Sequence, residues 1–171
     1  MAGIWRIKAI TPKKYNVTGV RKELVDVMRV ESSIVQSMYL KTVKTWKNKP
    51  KFKKKVRKVG DSYHMEVEYD PDTKEGKIYE YVDLGTRAHF IRPRRAKLLR
   101  FRVGGRPKTK VRKIASYKGA PGKYWRASKL VRHPGTKARL FTATIHERRK
   151  PKLDREFEKA MKRGIKIAER G

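Results

Sequence analysis

The chain has 171 residues, with 48 Lys and Arg against 16 Asp and Glu, a formal net charge of +32, and a hydrophobic share of 37%. That share lies below the ~45–50% of average soluble domains, so the core is small and the surface crowded with cations. No apolar run reaches the ~20 residues of a bilayer span, the leading MAGIWRIKAITPKK predicts no secretory leader, and the lack of cysteine excludes disulfides and thiolate chemistry.

A length near 150 predicts one domain over residues 1–171. Residues 3–10 place Trp5, Ile7 and Ala9 on one face and predict a short strand ended by Pro12. Asn16 or Thr18 caps the helix that follows. From 18 to 48, Val20, Leu24, Val27, Met28, Ile34, Val35, Met38, Val43 and Trp46 recur at three- and four-residue steps. Glu31 falls where an apolar residue is due. Such a helix is about 45 Å long and must pack on a sheet or a neighbouring subunit. Asn48 and Pro50 close it.

Next, Lys51, Lys53, Lys54, Lys55, Arg57 and Lys58 surround Phe52 and Val56. This pattern fits an edge strand whose charges block aggregation, or a segment laid on phosphate. Tyr63, Met65, Val67 and Tyr69 alternate with His64, Glu66 and Glu68, which predicts a half-exposed strand. A Lys-rich strand beside a Glu-bearing one gives favourable pairs, so 52–59 and 62–69 form one hairpin around Gly60 and Asp61. Asp70, Pro71 and Asp72 make a turn.

Ile78, Tyr79, Tyr81, Val82 and Leu84 fit a turn or two of helix as well as a strand. Leu98, Leu99, Phe101 and Val103 read as a strand with Arg100 and Arg102 outward. Residues 104–124, rich in Gly, Pro and Lys, read as a long loop or hairpin extension. Trp125 to Val131 reads as a strand, His133-Pro134-Gly135 as a turn, and Ala138 to Ile145 as a short helix. Pro151 then starts a terminal helix at its first turn. Leu153, Phe157, Ala160, Met161, Ile165 and Ala168 share one of its faces, with Asp154, Glu156 and Glu158 near its N-terminus, as the helix dipole prefers. The fold class is α+β: a long N-terminal helix and a C-terminal helix packed on a small, mainly antiparallel sheet, with a basic extension.

Charge is unevenly distributed. Residues 1–60 carry a net +14, residues 61–83 a net −6, and residues 147–171 a net +5. Residues 84–146 hold 19 cations and no carboxylate. Self-repulsion opposes compaction there unless anions come from elsewhere. The sources are nucleic-acid phosphates, an acidic partner, or the 61–83 segment of the same or a neighbouring subunit. The residues that would face the polyanion are Lys51, Lys53, Lys54, Lys55, Arg57, Lys58, Arg92, Arg94, Arg95, Arg100, Arg102, Lys108 and Lys110. Glu66, Glu68 and Asp70 are the candidates for a subunit interface. Tyr117, Tyr124 and Trp125, set among Lys118, Lys123 and Arg126, are stacking platforms for single strands or else anchors in a core or interface.

Catalytic constellations are not evident. His64, His89, His133 and His146 form no i, i+4 pair, and Asp70 and Asp72 lack the rest of a calcium loop. Gly104-Gly105-Arg106 matches no phosphate-loop fingerprint. The reading is a non-enzyme without metal or cofactor.

Two segments are more specific: Tyr81-Val82-Asp83-Leu84-Gly85-Thr86-Arg87-Ala88-His89-Phe90-Ile91-Arg92-Pro93, and His133-Pro134-Gly135-Thr136-Lys137-Ala138-Arg139. In order and spacing they resemble the tail-component or neck-protein family of long-tailed phages and prophages, the minor tail protein Z-like group. The positions that carry the resemblance are Gly85, Thr86, His89, Ile91, Pro93, His133, Pro134, Gly135 and Thr136. Their chemistry is structural: Gly85 and Gly135 suit positive φ, Thr86 bonds to nearby backbone, and Pro93 holds Arg92 extended. The resemblance implies a virion protein assembled in the host cytoplasm, forming a homo-oligomeric ring at the neck. Its implied partners are the head connector or adaptor, tail-tube or tail-terminator proteins, and packaged DNA passing non-specifically, with no membrane. The competing reading is a free basic nucleic-acid-binding protein of ribosomal or chromatin type.

Overall fold

The computed structural model describes residues 5–10 and 18–168. In chain order these form β1 (Trp5–Ile10), α1 (Thr18–Thr42), β2 (Phe52–Val59), β3 (Ser62–Tyr69), α2 (Lys74–Leu84), β4 (His89–Ile91), β5 (Leu99–Val103), β6 (Tyr124–Ser128), β7 (Val131–His133) and α3 (Phe141–Ala168). The fold is α+β, with antiparallel sheets of order β1-β3-β2, β4-β7 and β5-β6. The chain divides into two compact units, one within residues 1–40, 51–70 and 142–171, the other within 41–50 and 71–141. The expected stop at Pro12 and cap at Asn16 lie outside the described residues.

In the first unit, β2 and β3 form the hairpin expected around Gly60, in the register Phe52↔Tyr69 to Val59↔Ser62. Phe52, Met65, Val67 and Tyr69 are buried on one face. Tyr39 of α1 stacks on Phe52 with ring centroids 5.1 Å apart, and Gln36 donates to the Phe52 carbonyl at 2.7 Å. The helix therefore lies on the apolar face of the sheet. α1 and α3 meet through Val20, Leu24 and Ala160, with Val27 and Phe157 beside them.

The α1–α3 crossing depends on a residue that the sequence pattern passed over. A Cβ on Gly164 would overlap the Val20 backbone and reach within 2.8 Å of its Cγ2. The missing side chain lets the two backbones approach. It also shifts the buried line of α3 to Leu153, Phe157, Ala160 and Gly164 and leaves Met161 and Ile165 exposed, contrary to the expected stripe.

Glu31, the break in the apolar pattern of α1, is 3% exposed. Both its oxygens accept from Arg149 of α3, from Nε and a terminal nitrogen, each at 2.6 Å. This fork-to-fork geometry is the strong form of the pair. The hydrogen bond from Arg149 to Glu31 raises the guanidinium's pKa above its ordinary value, and the Glu31 charge adds to this against the opposing effect of burial. Further along the crossing Arg163 donates to Glu23 at 2.7 Å. On the open side of α3, hydrogen bonds and then charge from Lys159 and Lys162 hold Glu156 and Glu158 below the usual carboxylate range.

Two element boundaries differ from the sequence reading. Pro151 does not begin a helix but sits inside α3. It lies on the exposed side of the helix, where its ring meets no packed neighbour of the core. Buried Phe141, Thr144 and Ile145 before it, and Leu153 and Ala160 after it, hold both halves in one helix. α1 ends at Thr42, not near Asn48. Beyond it the Thr45 amide donates to Ser116 Oγ at 3.0 Å and Thr45 Oγ1 to the Tyr117 carbonyl at 2.9 Å. The 104–124 extension has taken the groups that a longer helix would use.

In the second unit the ambiguous 78–84 segment is helical. Thr73 caps α2 by accepting from the Gly76 amide at 3.1 Å, and Gly76, Tyr79 and Asp83 are buried at helical spacing. Tyr79 packs against Trp46 and Phe141, with ring centroids 6.2 and 5.8 Å apart. β5 and β6 are paired strands whose connection is the extension, folded back through reciprocal Arg106–Ala120 backbone bonds. The strand expected from Trp125 to Val131 is broken by a turn in which Ser128 Oγ bonds to Leu130. β6 and β7 thus pair with different partners.

Glu31→Gln is expected to lower unfolding free energy by about 3 kcal/mol in urea titration, because it leaves a largely covered guanidinium without its counter-charge. The double change Glu31→Met with Arg149→Met is expected to recover most of that loss, and a loss equal to or above the single change contradicts the assignment. Gly164→Ala is expected to cost about 1–3 kcal/mol by overpacking, read from the same titration.

Candidate polyanion interface

The hairpin of the first unit presents the first set of candidate cations. β2 is an edge strand, and Lys51, Lys53, Lys54, Lys55, Arg57 and Lys58 are all exposed. They are not equivalent. Lys55 pairs with Glu68, and Arg57 reaches both oxygens of Glu66 at 3.2 and 3.3 Å. Lys54 lies on the apolar face and donates to Ser33 Oγ at 2.6 Å. Lys51, Lys53 and Lys58 have no ion-pair partner among the described residues.

The acids opposite them fall into place by register: Lys53 lies across from Glu68 and Lys55 across from Glu66. Glu66 is 3% exposed, covered on the middle strand. It therefore offers almost no surface of its own to a second subunit and serves Arg57 as an internal counter-charge. Glu68 likewise serves Lys55, while Asp70 is exposed at the end of the hairpin.

The second unit holds the acid-free stretch. Arg92, Arg94 and Arg95, in the connection after β4, and Arg100 on β5 are exposed, and their guanidinium groups have no hydrogen-bond or ion-pair partner among the described residues. Arg102 is exposed on β5 and lies over the Trp125 ring, 4.6 Å from its centroid. Lys110 lies over Tyr117 at 4.8 Å. Lys108 donates to the Thr45 carbonyl at 3.1 Å. Tyr124 is 69% and Trp125 64% exposed, which excludes a core role for these two aromatics.

The two motif segments come together, fifty residues apart in sequence. Thr86 and Thr136 exchange backbone bonds at 3.0 and 3.2 Å, and Thr86 Oγ1 also accepts from the Thr136 amide. Gly85 and Gly135 flank this bridge at φ +80° and +87°. A Cβ on Gly85 would reach within 2.6 Å of the Thr136 carbonyl oxygen, so these positions combine left-handed backbone with close approach. β4 then pairs with β7, placing His89 across from His133 with stacked rings 5.0 Å apart, and Ile91 across from Val131. His133 Nδ1 accepts from the Gly135 amide at 3.0 Å, holding the turn around Pro134. Pro93 follows β4 and is half-buried.

One residue inside the first motif has a role that sequence reasoning missed. The buried Asp83 carboxylate accepts from the Phe141 amide, the first of α3, and its carbonyl accepts from the Leu140 amide at 3.0 Å. Leu140 has φ +57°, so the chain enters α3 from a left-handed residue. The available signal was position: Asp83 is the last acid before the acid-free stretch.

Among the described residues no three His, Asp or Glu gather where they could hold one metal ion, and no helix is long and apolar enough to cross a membrane. No protein-family model, curated protein or solved structure matches the chain.

Asp83→Ala is expected to lower stability by about 1–3 kcal/mol, because it strips a buried amide at a helix start of its acceptor. Glu80→Ala, one turn earlier, serves as the control and is expected to stay within about 0.5 kcal/mol. Equal urea midpoints for the two variants contradict the capping role.

Proposed function

We propose that this chain is a structural virion protein of a tailed phage, forming a ring at the neck between head connector and tail. In this reading it completes the tail or joins it to the head, and the ring surrounds DNA without reading its sequence. The observation that carries it is the row of exposed cations at Arg92, Arg94, Arg95 and Arg100, whose counter-charge is not supplied by the described chain. Cations of this kind bind phosphate non-specifically through counterion release. Further support comes from the two segments that resemble neck proteins, since their glycines and threonines meet in one bridge. A closed ring is the natural way for one small subunit to encircle a channel.

A specific observation also favours the second reading, a free nucleic-acid-binding protein. Exposed Trp125 and Tyr124 stand beside Arg102 and Arg126 on one hairpin, an arrangement suited to stacking on single strands.

Mass measurement with negative-stain imaging separates the two. The neck reading expects closed rings, alone or with connector and tail-tube proteins, and weak DNA binding by the monomer. A chain that stays monomeric and binds single strands tightly, losing about 1–3 kcal/mol on Trp125→Ala, supports the second reading instead. In ring-bound DNA, changing Arg94, Arg95 and Arg100 to Gln is expected to reduce the slope of log affinity against log salt by about 3. An unchanged slope contradicts the placement of these residues on DNA.

A further inference from the structure

We propose that the second unit contains a phosphate-ester site built around Arg139. A cavity of about 370 Å³ is lined by Trp46, Lys47, Lys108, Thr109, Thr136 and Arg139, and no carboxylate lines it. Arg139 Nε is buried and has no hydrogen-bond partner among the described residues. The residue as a whole is half-buried, and a covered guanidinium N–H without an acceptor is costly. The surrounding backbone holds the residue firmly: the Arg139 amide donates to the carbonyls of Val82 and Asp83 at 3.0 and 3.1 Å, and its carbonyl accepts from the Arg112 amide at 2.8 Å. Lys108 is steadied by its bond to the Thr45 carbonyl and keeps further donor capacity.

Three cations on one cavity call for an anion with several acceptor oxygens, and phosphate supplies these in a form that Arg and Lys both recognise. Phosphate alone would not fill the space. Trp46 offers an apolar wall to the group that carries it, which favours an ester over the free ion. The ester can be a nucleic-acid backbone or a small phosphorylated molecule. The proposal does not rest on the ring reading, and failure to find rings would leave it standing.

The test uses the isotope-labelled full chain. Inorganic phosphate, a small phosphate monoester and a short DNA duplex are titrated separately, with chloride at matched ionic strength as the reference. The readouts are the Arg139 Nε–H and Trp46 indole resonances. Saturable displacement by phosphate or an ester, absent with chloride, is expected. Lys108→Gln and Arg139→Gln, followed at the Trp46 indole, are expected to weaken binding at least tenfold. Lys166→Gln, an exposed lysine of α3, removes the same charge elsewhere and is expected to leave affinity within twofold. Displacement by the duplex identifies a backbone phosphate as the source, and displacement by the monoester alone identifies a small ligand. Equal effects of chloride and phosphate overturn the proposal. So do equal affinities for the Lys108→Gln and Lys166→Gln proteins. The wild-type titration gives its answer even if Arg139→Gln fails to fold.

Discussion

The ion pair of Glu31 with Arg149 joins two helices whose paired residues are 118 positions apart, and it is largely covered: the side chains are 4% and 15% exposed. A carboxylate in that place is useful only while the guanidinium is there, and the reverse holds equally. The pair fixes which faces of α1 and α3 can meet, because any rotation about either helix axis would bury one charge without the other. Apolar contacts around Val20, Leu24 and Ala160 supply the burial, and the ion pair supplies the register.

The same economy governs the other acids. With 16 carboxylates for 48 cations, acids are scarce, and besides those paired along their own helix several serve as links between elements. Glu66 and Glu68 hold the edge strand of the hairpin through Arg57 and Lys55. Glu23 ties α1 to Arg163 of α3, and Asp83 starts α3. The fold is thus neutralised where elements join. The excess positive charge is left on exposed residues of β2, of the connection after β4, and of β5, where water screens it. An outside polyanion would interact with cations that the fold does not need.

Much of this was legible in the sequence. The alternation of Tyr63, Met65, Val67 and Tyr69, set beside a Lys-rich strand, specified the hairpin and its cross-strand charges, because strand period and charge complementarity act locally. Gly85 and Gly135 could be assigned positive φ from residue type alone. What stayed hidden depended on distant partners. Glu31 looked like a flaw in an apolar stripe because Arg149 lies on another helix. Gly164 carried no signal in the apolar pattern because the backbone it admits belongs to Val20. Pro151 looked like a helix start because the burial on both its sides is tertiary. Glu66 looked available to a second subunit because its burial on the middle strand is tertiary. The candidate interface was legible as a list of cations, but which of them are already paired was not.

In the proposed reading, the arginines of the acid-free stretch whose side chains lack a partner among the described residues face a polyanion supplied from outside the chain. A density map of the assembled particle that resolves residues 92–102 tests this. Nucleic-acid phosphate is expected within about one Debye length, roughly 8 Å, of Arg92, Arg94, Arg95 and Arg100. A map in which these side chains are covered by carboxylates of a neighbouring protein, with nucleic acid remote from them, would contradict it.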